Sequence, residues 1–205
     1  MRLQQFARTE QAIDLLKRGL RTSLVQQISG LRAPIVRALH HEIHGSKPKS
    51  GQHPTISGLL RSTKRQASAS LFVALYRTLG GQRTAQQIEL EALLQAHRLY
   101  REHAERFASP DQLGAPLDIN AAWVIAQALS TGALTLQGCQ HCQIDFVVCD
   151  FSRIALQCPV CVLKQRARQR PLRRQIAKTG RGDSAQALTQ TGAHPDQRKA
   201  CQPVP

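Results

Sequence analysis

Five of the six cysteines in this 205-residue chain fall within one stretch, GCQHCQIDFVVCDFSRIALQCPVCVLK, residues 138–164, and four of them are paired. Cys139 and Cys142 form one C-x-x-C pair and Cys158 and Cys161 a second, with fifteen residues between the pairs. No other feature restricts the fold as strongly. The spacing lies inside the four-thiolate zinc pattern. Each C-x-x-C makes a tight turn that sets two sulfurs on one side, and two such turns complete a tetrahedron around Zn(2+). Two short β-prone runs, residues 144–149 and 153–156, separate the pairs, so a zinc ribbon holding one Zn(2+) per chain is expected.

A pair of disulfides is the competing reading, but paired cysteines inside a cell serve metal binding or redox chemistry more often than stapling. A thioredoxin-like site would need a C-x-x-C opening a helix near a βαβ pattern, and the sequence shows none. His141, within the first pair, is a reserve ligand. Cys149 reads as a small buried residue and Cys201 as an incidental feature of the tail. A closed four-sulfur site leaves no coordination position for a substrate, so it stabilises structure and does not catalyse. The segment is too short to build a core unaided and depends on the metal to fold.

Immediately after the cysteines the chain turns strongly basic. Residues 164–181, KQRARQRPLRRQIAKTGR, hold eight Lys or Arg and no acid. Arg166, Arg168 and Arg170 alternate, and Pro171 interrupts the run before Arg173 and Arg174. The whole chain has 28 Lys and Arg against 13 Asp and Glu, a formal charge of +15, which favours a polyanionic partner. Aromatic residues make up only 4%. That argues against single-stranded nucleic acid, which is read by stacking, and for double-stranded DNA gripped by its phosphates. The N-terminus lacks an apolar signal-peptide core, and no apolar run approaches the ~20 residues that span a bilayer. A soluble, cytoplasmic protein is expected, with no membrane partner.

Upstream of the cysteines the pattern is helical. Thr9 is read as an N-cap, followed by Ile13, Leu16 and Leu20 at helical spacing. Leu24, Val25 and Ile28 form a short patch, Ser29 and Gly30 break it, and Ile35, Val36, Leu39 and Ile43 resume the period. Two helices about a glycine turn describe a helix-turn-helix, whose second helix displays Arg32, Arg37 and His40. His40 and His44 lie one turn apart, but no H-E-x-x-H motif accompanies them, so solvated or DNA-facing histidines are expected. Residues 45–58 read as a loop. Residues 59–79 return to helix with Ala67, Leu71, Ala74 and Leu75 on its inner side. Thr84 and Gln87 have capping-box spacing and open a helix carrying Ile88, Ala92, Leu93, Ala96, Leu99, Tyr100 and His103. Its glutamates, Glu89, Glu91, Glu102 and Glu105, make it the poorest DNA candidate and suit it to a protein partner. Asn120 or Asp118 caps AAWVIAQAL, residues 121–129, which is apolar nearly all round and therefore buried, with Trp123 at the centre of the domain or at a subunit contact. The expected architecture is mainly α: a helical domain over residues 1–134, a four-cysteine module over 135–165, and a basic, largely disordered tail over 166–205.

The helix-turn-helix-like N-terminal half, the run Ala96-His97-Arg98-Leu99-Tyr100, and Ala121-Ala122-Trp123 leading through Gly-Ala-Leu-x-Leu to four cysteines together resemble the FlhC family, the zinc-containing subunits of the bacterial flagellar master activator. The resemblance covers about residues 5–171. It implies zinc ligation by Cys139, Cys142, Cys158 and Cys161, and work with FlhD in a heterohexamer of four FlhD and two FlhC chains. It also implies binding to promoter DNA upstream of flagellar and some non-flagellar operons, recruitment of RNA polymerase, and a cytoplasmic location associated with the nucleoid. Cys149, the tail beyond Pro171 and the scarcity of aromatics over residues 55–70 depart from the family pattern. The expected DNA contacts are Arg32 and Arg37 for sequence readout, and Lys164, Arg166, Arg168 and Arg170 for phosphates. The alternative reading is a zinc-stabilised interaction subunit that scaffolds a DNA-binding partner without touching DNA itself. A metalloenzyme built on His40 and His44 is the third.

Overall fold

A computed structural model describes residues 2–48, 51–107, 115–149 and 157–179. The chain divides into two units, Met1–Leu163 and Lys164–Pro205. The first is helical, with a small two-stranded sheet near its end. Helix α1 spans Arg2–Lys17, α2 Thr22–Ser29 and α3 Ala33–His44. The start of α1 differs from expectation. Thr9 lies inside the helix and donates its hydroxyl hydrogen to the Gln5 carbonyl, a back-bond that lets a hydroxyl sit mid-helix. Ala12, Leu15 and Leu16 are the residues of α1 that enter the core.

The glycine turn between α2 and α3 is where the sequence places it. Gly30 ends α2 at φ 68°, a left-handed conformation that costs a residue with a Cβ about 1–2 kcal/mol. Val36 is buried, and Ile35, Leu39 and Ile43 pack at the edge of the core. Arg32 precedes α3 as its N-cap residue and Arg37 lies on the helix; both are exposed. Within the expected loop, Ile56–Leu59 forms one helical turn, α4, capped by Thr55.

Helix α5, Thr63–Gly80, begins after Ser62, whose hydroxyl accepts the Arg65 N–H. Its buried face includes the expected Ala67 but otherwise differs from expectation. Ala69, Phe72, Val73 and Tyr76 are fully buried, whereas Ala74 is exposed and Leu71 and Leu75 only half-buried. Gln66, Ser68 and Ser70 are buried with them. A 3-10 turn, Gly81–Ala85, leads to α6, Leu90–Phe107. The capping box does not form: buried Thr84 bonds the Gly81 carbonyl, and Gln87 donates to the Glu89 carboxylate. A Cβ on Gly80 would collide with Thr84, so the tight fold-back of this turn requires glycine there.

Helix α7, Ile119–Ser130, is capped by Asp118, which accepts the Ala121 N–H at 2.7 Å. Asn120 is not the cap. Its side chain accepts the Arg21 N–H and donates to the Gly19 carbonyl, joining α7 to the α1–α2 turn. Trp123 is buried on α7 as expected. Phe72 meets Tyr100 edge-to-face, with ring centroids 6.4 Å apart. The hydroxyls of Tyr76 and Tyr100 accept the N–H groups of Glu89 and Leu117, so each ring fills the core while its polar tip ties down a loop.

Strands β1, Thr135–Gly138, and β2, Asp145–Val148, form an antiparallel hairpin pairing Thr135 with Val148 and Gly138 with Asp145. Of the two, only β2 coincides with a β-prone run in the sequence. The second such run, residues 153–156, lies outside the described residues. Helix α8, Pro159–Thr179, runs through residues 164–179 of the basic run without a break at Pro171. Residues 166–179, the described part of the expected basic tail, are helical. The tail beyond residue 179, Cys201 included, lies outside the described residues. Among the described residues no helix is long and apolar enough to cross a membrane.

Candidate metal centre

The first cysteine pair occupies the tip of the β1–β2 hairpin. The Cys139 N–H bonds the Ile144 carbonyl and the Gln143 N–H bonds the Cys139 carbonyl. Gln143 takes φ 57°, the one left-handed non-glycine residue among those described, and reverses the chain after Cys142. The second pair is placed by different means. Cys158 stands immediately before α8, Pro159 occupies the first helical position, where its missing N–H is harmless, and Cys161 lies in the first turn. The two C-x-x-C pairs are thus held by one hairpin tip and one helix N-terminus, and the strand expected to lead into the second pair lies outside the described residues.

The half-sites nevertheless present sulfur alike. Backbone N–H groups of Cys142 and His141 point at the Cys139 sulfur, and those of Cys161 and Val160 at the Cys158 sulfur. Such donors, and the positive end of a helix, favour thiolate. The Cys139 and Cys161 sulfurs are 3.8 Å apart, those of Cys142 and Cys158 3.5 Å, and all four lie within 4.8 Å of one another. A tetrahedron with ~2.3 Å metal–sulfur bonds has edges of about 3.8 Å, whereas a disulfide needs about 2.05 Å. The four described ligand candidates are free thiols arranged as a metal cage. His141 is exposed and outside this cluster.

The acidity of the thiols points the same way. Hydrogen bonding, first from the Cys142 N–H, lowers the Cys139 thiol to about 6. Burial raises Cys158, and Cys161 is pushed up to about 12, chiefly by its hydrogen bond with the Cys142 sulfur. One thiol thus ionises readily while burial and hydrogen bonds among the sulfurs oppose ionisation of the others. A divalent cation removes that opposition, so the donor set fits a thiophilic ion.

The alternation of β2 fixes this cage to the helical body. Phe146 and Val148 pack against the cysteines, while Val147 and Cys149 enter the main core. Cys149, just beyond the strand, is a buried core residue and not a ligand. On the outer edge of β2, the Val147 N–H donates to the Ser70 hydroxyl at 3.1 Å, and its carbonyl accepts from the Gln66 amide at 2.9 Å. Two side chains of α5 thus stand in for a third strand and protect an edge that would otherwise be open. Sequence reasoning missed both. The available signal was the presence of Gln66 and Ser70 one turn apart on a face otherwise filled by Ala, Phe and Val.

The expected DNA-contacting residues are divided between the two units. Arg32 and Arg37 belong to the first unit, and Lys164, Arg166 and Arg168 are exposed on α8 in the second. At 100° per residue, Lys164 and Arg168 share one side of α8, and Arg166 falls on another. The His40 and His44 rings lie 4.6 Å apart, tilted by 49°, and bond the Ser46 and Leu16 carbonyls, respectively. Neither joins a group of potential metal ligands among the described residues.

The family model for the flagellar transcriptional activator FlhC matches residues 2–174. Similar relatives include the flagellar transcriptional regulator FlhC of Yersinia enterocolitica, 28% identical over 159 residues, covering 76% of this chain and 79% of the relative. The Erwinia tasmaniensis protein of the same name is 28% identical over 158 residues, 76% and 85% of the two chains. That of Enterobacter cloacae is 24% identical over 179 residues, 87% and 90%. With its helical body and its four-sulfur cage inside the matched segment, this chain belongs to the FlhC family of flagellar transcriptional activators, a class of regulators and not of enzymes.

Proposed function

We propose that the chain is the zinc-binding, DNA-contacting subunit of a transcriptional activator that acts with an FlhD partner on flagellar promoters, and on some non-flagellar ones. The observation that carries this reading is the four-sulfur cluster at the start of α8. Zinc bound there supplies a closed, redox-silent cross-link between the hairpin and the helix N-terminus. Cys139, Cys142, Cys158 and Cys161 are its ligands, one ion per chain. The basic residues downstream, Lys164, Arg166, Arg168 and Arg170, serve as phosphate contacts, and the exposed Arg32 and Arg37 as candidates for base readout. A helical domain over residues 1–134, a zinc module over 135–165 and a basic tail over 166–205 divide the labour. The partner assembly, four FlhD with two FlhC chains, and the recruitment of RNA polymerase belong to the same proposal, as does a cytoplasmic, nucleoid-associated location.

The mechanism is positioning. A duplex contacted at ~6 phosphates should lose affinity with salt along a log–log slope of about −5. The test is co-expression with an FlhD partner, followed by gel shift and crosslinking on a flagellar promoter fragment, before and after metal removal. Retarded DNA crosslinked to this chain, and lost on chelation, is the expected result. Crosslinks to the partner alone would favour a scaffold that never touches DNA, and binding indifferent to salt would refute the phosphate-gripping mechanism.

A further inference from the structure

Away from the cysteines, the first unit holds a cleft of about 800 Å³ between the α1–α2 turn, the end of α3 and its following loop, α6, and the start of α7. We propose that this cleft is a binding site for a small polyphosphate anion, either inorganic or carried on a nucleoside. Four cations converge on it from three separate parts of the chain: Arg18, Arg21, Lys47 and Arg101. Asp118 is the only carboxylate in the lining, and its oxygen is engaged by the Ala121 N–H as the cap of α7. Arg18 and Arg101 have ion-pair partners in Asp14 and Glu105, outside the lining. Arg21 and Lys47 have no carboxylate within ion-pair distance among the described residues. A guanidinium and an ammonium without counterions at one cleft are an electrostatic opening for an oxyanion, which a guanidinium binds through paired N–H donors.

The walls are held in place. Asn120 ties Arg21 and Gly19 to α7. The His44 ring bonds the Leu16 carbonyl at 3.0 Å, and the His97 ring bonds the Leu117 carbonyl at 3.0 Å. Arg21 itself donates to the Gly51 carbonyl at 2.7 Å, which limits its freedom and reduces the ordering cost of binding. The volume exceeds what one phosphate fills and lies in the range of small-molecule sites. A duplex, whose major groove alone is about 12 Å wide, can lay a phosphate on the rim of such a cleft but cannot enter it. The ligand class is therefore small and multiply charged, distinct from the DNA of the proposed function.

The test is calorimetric titration of the full-length, zinc-loaded chain with inorganic pyrophosphate and, separately, with a nucleoside triphosphate. Saturable one-to-one binding is expected, at least tenfold weaker in Lys47→Glu and in Arg21→Gln, and unchanged in Arg77→Ala, an exposed residue of α5 outside the lining. Lys47 is exposed and on a loop, so its variant reports charge without threatening the fold. A nucleoside triphosphate binding more tightly than pyrophosphate identifies a nucleotide as the ligand, and equal affinities identify the phosphates alone. Either result supports the site. Absence of saturable binding, indifference to Lys47→Glu, or an equal loss in Arg77→Ala overturns it. So does a Lys47→Glu chain that loses promoter DNA without any pyrophosphate binding in the parent, which assigns the cleft to the duplex track. Promoter binding itself is unaffected by the failure of this proposal.

Discussion

Removing the Ser70 hydroxyl should loosen the metal module although Ser70 touches no cysteine. Ser70 is 4% exposed and accepts the N–H of Val147, a residue at 0% exposure. In Ser70→Ala that N–H has no replacement partner, and a buried donor left unpaired costs about 1–3 kcal/mol. Gln66→Leu removes the donor to the Val147 carbonyl. It also removes a buried oxygen of Gln66 that has no partner, so its net cost should be smaller, about 1 kcal/mol. The double variant should cost less than the sum, because both changes release the same strand. Urea denaturation of the zinc-loaded chain measures the equilibrium effect, and heating should show a fall in Tm of about 2–4 °C per kcal/mol at this size. Metal transfer to a colorimetric chelator measures the local effect. It should be faster in Ser70→Ala, since Phe146 and Val148 of the same strand pack on the sulfurs. If Ser70→Ala shifts neither stability nor transfer rate, or if Gln66→Leu is the more damaging change, the account of Val147 is wrong.

Cys158→Ser should abolish stoichiometric zinc, whereas Cys149→Ser should retain one zinc per chain and cost about 1 kcal/mol by burying a hydroxyl among apolar neighbours; metal analysis with denaturation separates the two. Burial holds His97 below its ordinary 6.5, so the unfolded chain takes up a proton that the folded one resists. Stability should then fall as pH drops below about 6.5, and His97→Gln should flatten that part of the denaturation profile. Arg32→Ala should reduce discrimination between operator and random duplex, while Arg168→Ala should weaken both equally and lower the salt slope by about 1. Identical behaviour of the two variants in competition gel shifts would end that distinction.

The features legible in the amino-acid order alone depend on residues close together along the chain. Two C-x-x-C pairs and their chemistry predict four sulfurs for one metal, and they cluster within 4.8 Å. Gly30 predicts the break between α2 and α3, because one glycine in the left-handed region ends a helix wherever it stands. The apolar run around Trp123 predicts a buried helix. Long-range packing settles the rest. The inner face of α5 carries Gln66 and Ser70 because their partner, Val147, lies 81 and 77 residues further along the chain; local periodicity treats such polar residues as outward. Thr84 and Asn120 read as caps for the same reason, since each looks like a local acceptor until a distant or folded-back backbone claims it. Strand β1 has four residues with little apolar alternation and exists through its pairing with β2. Short-range pattern sees only groups that neighbours in sequence satisfy, whereas a buried polar group goes to whichever partner the fold brings within about 3 Å.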